Sequence, residues 1–154
     1  MSIRFVALDS TVVAGYRAGG PDANGQTPER YIAPQDGLPC RHCLGLINKG
    51  EPFLVVGHRP FPSPQPYAEV GPIFLHADDC ERGGGGEIPE FLASPHYIVR
   101  GYGKADRIVY GTGEVVRTGA IPEVASKLLE RPDVAYVHVR SATNNCYHCR
   151  IERG

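Results

Sequence analysis

Residues 121–151 read IPEVASKLLERPDVAYVHVRSATNNCYHCRI, and the hydrophobic period changes once along them. At first Ile121, Val124, Ala125, Leu128 and Leu129 recur at i, i+3, i+4, i+7 and i+8, which is the apolar stripe of an amphipathic helix. Pro122 suits the first helical turn, where its missing N–H has no partner to lose, and Pro132 stops the helix after Arg131. A helix over about 121–131 is therefore predicted. Beyond it the period falls to two. Val134–Ser141 and Cys146–Glu152 read as strands joined through Ala142-Thr143-Asn144-Asn145. A helix folded onto a hairpin sets the class as α+β, an antiparallel sheet with one main helix.

Side chains alternate across a strand, so Val137 and Val139 face one way while Tyr136, His138 and Arg140 face the other. On the second strand Tyr147, Cys149 and Ile151 oppose Cys146, His148 and Arg150. Burying the apolar sets together predicts a register in which Arg140 lies opposite Cys146 and His138 opposite His148. A slip of one residue would set valines beside arginines. The polar face then gathers His138, Arg140, Cys146, His148 and Arg150. Two arginines and two histidines suit a small anionic ligand, carboxylate or phosphate. Positive neighbours also lower a thiol pKa, which makes Cys146 a candidate nucleophile with His138 or His148 as base and Arg140 as anion clamp. Glu69, Asp78, Asp79 and Glu152 are the acids available to orient such a histidine. The plainer alternative is a solvated or hydrogen-bonded polar face with no chemistry.

Arg4–Leu8, Phe53–Val56 and Ile73–Leu75 are compact apolar runs with the character of strands. Tyr97–Arg100, Arg107–Tyr110 and Glu114–Arg117 resemble a meander with Gly-containing turns. Gly15–Pro39 has no period and reads as a long loop; Pro60–Pro66 reads as an extended segment and Gly83–Gly86 as a connector. Glycine (19) and proline (14) exceed the roughly 12% typical of the two together, so turns should outweigh long helices.

Cys40-Arg41-His42-Cys43 and His76-Ala77-Asp78-Asp79-Cys80 form a second signal. Cys-x-x-Cys followed at a distance by His-x-x-x-Cys is a ligand set for a closed tetrahedral zinc site, since zinc favours thiolate and imidazole. Cys40, Cys43, His76 and Cys80 would then hold a structural zinc on the loop-rich flank. Cys40, Cys43, Cys146 and Cys149 form a competing set, and unligated cysteines are the third alternative. Gly45 would relieve crowding just past the turn, and His42 would be exposed or sit behind the ligands. Three strand residues span roughly 10 Å, too far for a Cys146–Cys149 disulfide.

At 154 residues the chain is read as one domain, 1–154. A formal charge of -1 supplies no general attraction to nucleic acid or to an acidic membrane, and no apolar run approaches a membrane span. The first residues lack the pattern of a secretory signal, which favours a cytoplasmic setting and reduced cysteines.

The Cys-x-x-Cys-Leu-Gly stretch from Cys40 resembles the first knuckle of treble-clef zinc modules. The four-ligand spacing is similar to that of poly(ADP-ribose) polymerase-type fingers, with three residues between His76 and Cys80 where those have two. Three blocks together look like the bacterial domain-of-unknown-function 1203 family: Pro39-Cys40-Arg41-His42-Cys43-Leu44, Pro66–His76, and Val137–Ser141 with Asn145-Cys146-Tyr147. That resemblance implies a single-domain protein and no particular reaction. The residues thus point to a zinc-stabilised binding or accessory domain, with a small thiol-dependent enzyme as the alternative.

Overall fold

The structure is a computed structural model and describes residues 1–154. Its largest element is a six-stranded sheet in the order β7-β1-β11-β10-β8-β9, with every pairing antiparallel. These strands are β1 (Ile3–Val6), β7 (Gly84–Gly85), β8 (His96–Tyr102), β9 (Glu114–Arg117), β10 (Tyr136–Ser141) and β11 (Tyr147–Arg153). Against one face lies helix α2 (Ile121–Leu129), which follows a 3-10 turn at Thr118–Ala120. Ile121, Ala125 and Leu129 are fully buried there among Val137, Val139, Cys149 and Ile151. Burial of a side chain such as Leu129 contributes about 1.5–3 kcal/mol, so the apolar stripe rather than helix propensity holds α2 in place. The α+β class follows from this layer.

A smaller layer packs beside it. Strands β2 (Glu29–Ile32), β5 (Pro52–His58) and β6 (Gly71–His76) form an antiparallel sheet in the order β2-β5-β6. Helix α1 (Ser10–Arg17) places the fully buried Val13 in its core with Val56, Ile73 and Leu75. A two-stranded hairpin, β3 (Leu38–Pro39) with β4 (Leu46–Ile47), carries the Cys40–Cys43 turn. No helix is long and apolar enough to cross a membrane.

Several expectations change. The 15–39 stretch contains the end of α1 and all of β2. Asp9 caps α1 by accepting a hydrogen bond from Thr11 N, and β2 is an edge strand with every residue exposed, so it shows no in–out alternation to read. Arg107–Tyr110 is not a strand and contributes only one isolated bridge, Tyr102 to Ile108. Gly84, in the expected connector, pairs with β1 at φ 124°, where a Cβ would stand 2.7 Å from the Phe5 carbonyl oxygen. Past the cysteine turn Leu44 takes the left-handed conformation, at φ 59°.

The hairpin register also differs. Val137 lies opposite Ile151, His138 opposite Arg150 and Val139 opposite Cys149; a bulge then sets Arg140 opposite Tyr147. The faces of β10 are as expected, because a two-residue shift preserves alternation. The bulge does not preserve it on β11. Tyr147 turns to the His138 face, with ring centroids 4.8 Å apart. His148 instead rolls between Phe91 and Tyr97, at 5.4 and 5.2 Å, and leaves the polar face.

Burial first, and then the Arg41 cation, hold the pKa of His148 down to about 3. An unfolded histidine titrates near 6.5, so below that pH the unfolded chain binds a proton that the folded chain refuses. Stability is therefore full above pH 6.5 and falls on acidification, by about 1.4 kcal/mol per pH unit for this one group. His148→Phe should flatten the dependence of the urea midpoint on pH between 6 and 4. An unchanged slope would mean that this imidazole accepts a proton in the folded state.

Candidate functional site

Local chain geometry brings four metal-ligand side chains together. In the turn between β3 and β4, Leu44 N donates to Cys40 O at 3.0 Å and Cys40 N to Gly45 O at 3.0 Å, which turns Cys40 and Cys43 toward one side. His76 is the last residue of β6, and Cys80 follows in the next loop. One donor atom from each of Cys40, Cys43, His76 and Cys80 lies within 4.8 Å of all the others. Cys43 Sγ and His76 Nδ1 are 3.5 Å apart. Ligand atoms bound tetrahedrally at 2.0–2.3 Å stand about 3.3–3.8 Å apart, so this set closes on an ion with small side-chain movements. It is a plausible metal site. Cys146 and Cys149 take no part: Cys149 is buried in the α2 core opposite Val139, and Cys146 lies in a separate cleft. All five cysteines are free thiols.

The surroundings fit a cation bound by thiolates. His76 N donates to Cys40 Sγ at 3.3 Å. The Cys40 thiol is held well below its ordinary pKa, chiefly by a hydrogen bond from the Cys43 thiol and then, against burial, by backbone N–H groups of Cys43, His76 and His42. Glu51 Oε1 stands 3.6 Å from His76 Nε2, the nitrogen turned away from Cys43. A carboxylate behind a ligating imidazole orients the ring and raises its basicity. Arg17 Nη2 donates to Cys80 Sγ at 3.1 Å, and its Nε donates to His76 O at 3.0 Å. Three thiolates and a neutral imidazole around a divalent ion leave one net negative charge, which Arg17 offsets. His42 is buried; its Nδ1 is 3.1 Å from Cys80 Sγ and its Nε2 2.9 Å from Ser10 Oγ. With the proton on Nδ1, this imidazole donates to the sulfur and accepts from the serine.

The second feature is a cleft of about 300 Å³ between the start of β6 and the tip of the β10–β11 hairpin. Arg140 forms part of its wall, with Asn144, Asn145 and Cys146 from the hairpin and Glu69 from the segment before β6. Arg140 is only 2% exposed. Its Nη2 pairs with Glu69 Oε1 and lies 3.1 Å from His138 Nδ1; its Nη1 donates to Asn145 O at 3.3 Å. Behind it His138 is enclosed by the rings of Tyr102 (4.5 Å), Tyr147 (4.8 Å), Phe61 (5.2 Å) and Tyr136 (5.2 Å). Burial first, and then Arg140, Arg150 and Arg100, keep this histidine neutral. His138 Nδ1 thus accepts from Arg140, and its Nε2 has no partner.

Of the residues expected on the polar face, Arg140 and Cys146 share the cleft, His138 sits behind Arg140, and Arg150 lies 3.8 Å over the Tyr136 ring. His148 is on the opposite face, where Nδ1 donates to Cys146 O at 3.1 Å. Cys146 Sγ contacts Asn144 O at 3.8 Å, and neither histidine is hydrogen-bonded to it. The sequence reading treats Glu69 as only one of four acids and misses Arg17, Ser10 and Glu51. Each of these is a single polar residue with no spacing pattern to mark it. The four residues expected to hold a metal, Cys40, Cys43, His76 and Cys80, do come together in one cluster.

Cys43→Ser removes one of the four donors. At a thousandfold excess of ion over its dissociation constant, bound metal stabilises by about 4 kcal/mol. That corresponds to a melting-temperature loss on the order of 10 °C in the variant. Wild type treated with a chelator should fall to the same value, and the variant should ignore the chelator. A variant that melts with wild type in metal-replete buffer would remove the metal site.

No curated protein and no solved structure matches the chain. Residues 37–153 match the family model described as a protein of unknown function, DUF1203. That span holds all four clustered ligands and the whole cleft, whereas Ser10 and Arg17 precede it. The chain belongs to the DUF1203 family.

Proposed function

We propose that this protein is a zinc-stapled binding domain that takes a small anionic ligand in the Arg140 cleft. Three thiolates and one imidazole favour zinc over harder cations, and four protein ligands leave no position open for substrate. Such a zinc is structural, and binding is assigned to the cleft. The observation that carries this assignment is Arg140, a guanidinium 2% exposed that nevertheless forms part of the wall of a surface cleft. A buried arginine needs an anion against it, and its planar donor fork matches carboxylate and phosphate. Asn144 and Asn145 add amide donors at the rim.

Elemental analysis of the native protein should find one zinc per chain. Titration of the labelled protein with malonate should move the backbone amide signals of Arg140 and 144–147 saturably. Zinc absent at full loading conditions would sink the staple; shifts scattered over the surface, or none, would sink the anion cleft.

A thiol-dependent enzyme is the second reading, because Cys146 shares the cleft with Arg140. It needs a base at the sulfur. His138 is committed to Arg140 and His148 to the other face, which favours binding over catalysis. Cys146 is therefore expected to react with iodoacetamide at pH 7 no faster than a model-peptide thiol. A rate about tenfold higher would move the assignment to the enzyme.

A further inference from the structure

We propose that the Glu69 carboxylate is an internal occupant of the Arg140 cleft, and that the ligand displacing it is itself a carboxylate. The proposal rests on the anion-cleft reading above and adds its ligand class and regulation.

The pair is asymmetric. Arg140 is fixed within the sheet layer at 2% side-chain exposure, whereas its partner Glu69 is 43% exposed. Glu69 sits at the end of the proline-spaced segment between β5 and β6. The contacts that hold this segment include Gln65 Nε2 donating to Asp106 O at 2.9 Å and a Tyr67–Tyr110 hydroxyl pair at 2.8 Å on the surface. The cation cannot leave and the anion can.

The fit is also incomplete. Arg140 Nη2 and, at 3.6 Å, Arg100 Nη2 both converge on a single oxygen, Oε1. Arg140 Nε is buried with no partner. A guanidinium edge made of Nε and Nη2 matches the two oxygens of one carboxylate, and here only Nη2 of that edge has partners, Glu69 Oε1 and His138 Nδ1.

Charge then selects the ligand. Withdrawing Glu69 leaves the Arg140 guanidinium in the cleft wall and the Arg100 guanidinium within 3.6 Å of the vacated oxygen position, beside a neutral histidine. An incoming carboxylate restores the pairing of the buried cation; a neutral molecule leaves it uncompensated. A dicarboxylate can answer both arginines. Because the cleft must first release Glu69, the wild-type affinity is lowered by the fraction of time the cleft is open.

The test uses malonate and inorganic phosphate with the full chain, at constant ionic strength, followed by amide shifts and melting temperature. Glu69→Gln should bind malonate about tenfold more tightly than wild type, and malonate should raise its melting temperature more than that of wild type. If Glu69→Gln does not fold without ligand, Glu69→Asp keeps the charge on a shorter stem and should tighten binding about threefold. Wild type binding malonate in the cleft with neither variant tighter overturns the internal-occupant inference and leaves the anion cleft standing. Malonate failing to bind any of the three proteins removes the cleft reading and this inference with it. Phosphate binding Glu69→Gln as tightly as malonate overturns the carboxylate assignment.

Discussion

The Cys40–Cys43 turn is where the two layers are tied together. Its cysteines face the donor cluster, His42 meets Cys80 Sγ from behind, and Arg41 reaches elsewhere. Arg41 is buried, donates through Nε to Tyr147 O on β11 at 2.8 Å, and through Nη1 to Pro39 O at 2.9 Å. Burial draws its pKa down to about 10, still far above neutrality, so the bridge is charged at any physiological pH. The turn's backbone is used as fully: Leu8 N donates to Arg41 O, Arg41 N to Phe74 O and Gly83 N to His42 O. Four short residues therefore connect the start of the chain, β6, the connector before β7 and the C-terminal hairpin.

Close packing enforces that arrangement. A Cβ on Gly83 would stand 2.0 Å from the Cys43 carbonyl oxygen, so only glycine lets the connector approach the turn. Arg41 could not be swapped for a smaller side chain without leaving the Tyr147 carbonyl short of its partner in a buried region. Because β11 carries Tyr147 at its bulge, the bridge fixes the bulge, and the bulge decides which side chains face Arg140 and which face α2. Position in the cleft is thus set partly from the cysteine turn, more than a hundred residues earlier in the chain.

What was legible in the sequence follows from how each signal is encoded. The helix from Ile121 and the faces of β10 repeat over several residues, and a repeated pattern survives errors at single positions. The four metal-ligand residues are legible because cysteine and histidine at short spacing have few other reasons to occur together. The hairpin register was not legible: a two-residue shift leaves every face unchanged, and no local pattern announces the bulge that relocates His148. Helix α1 hides because Val13 is its one buried residue, and β2 because both its faces are wet. Glu69 hides most completely. Its meaning comes from Arg140, which lies far along the chain and becomes its neighbour only once β6 and the hairpin are in place.

Strand β6 joins the two features in space. It begins at Gly71 and Pro72, which line the cleft two residues after Glu69, and it ends at His76 in the donor cluster. The layer that contains it has nine buried core residues against sixteen under α2, so it is the layer with less hydrophobic support of its own. An ion gripping His76 at one end of β6 and the cysteine turn beside it would hold that strand in register with β5. The same grip would fix where β6 begins beside the cleft, and so the point from which Glu69 is tethered opposite Arg140. On the proposed reading, a closed metal centre with no open ligand position would in this way govern a cleft that it never touches.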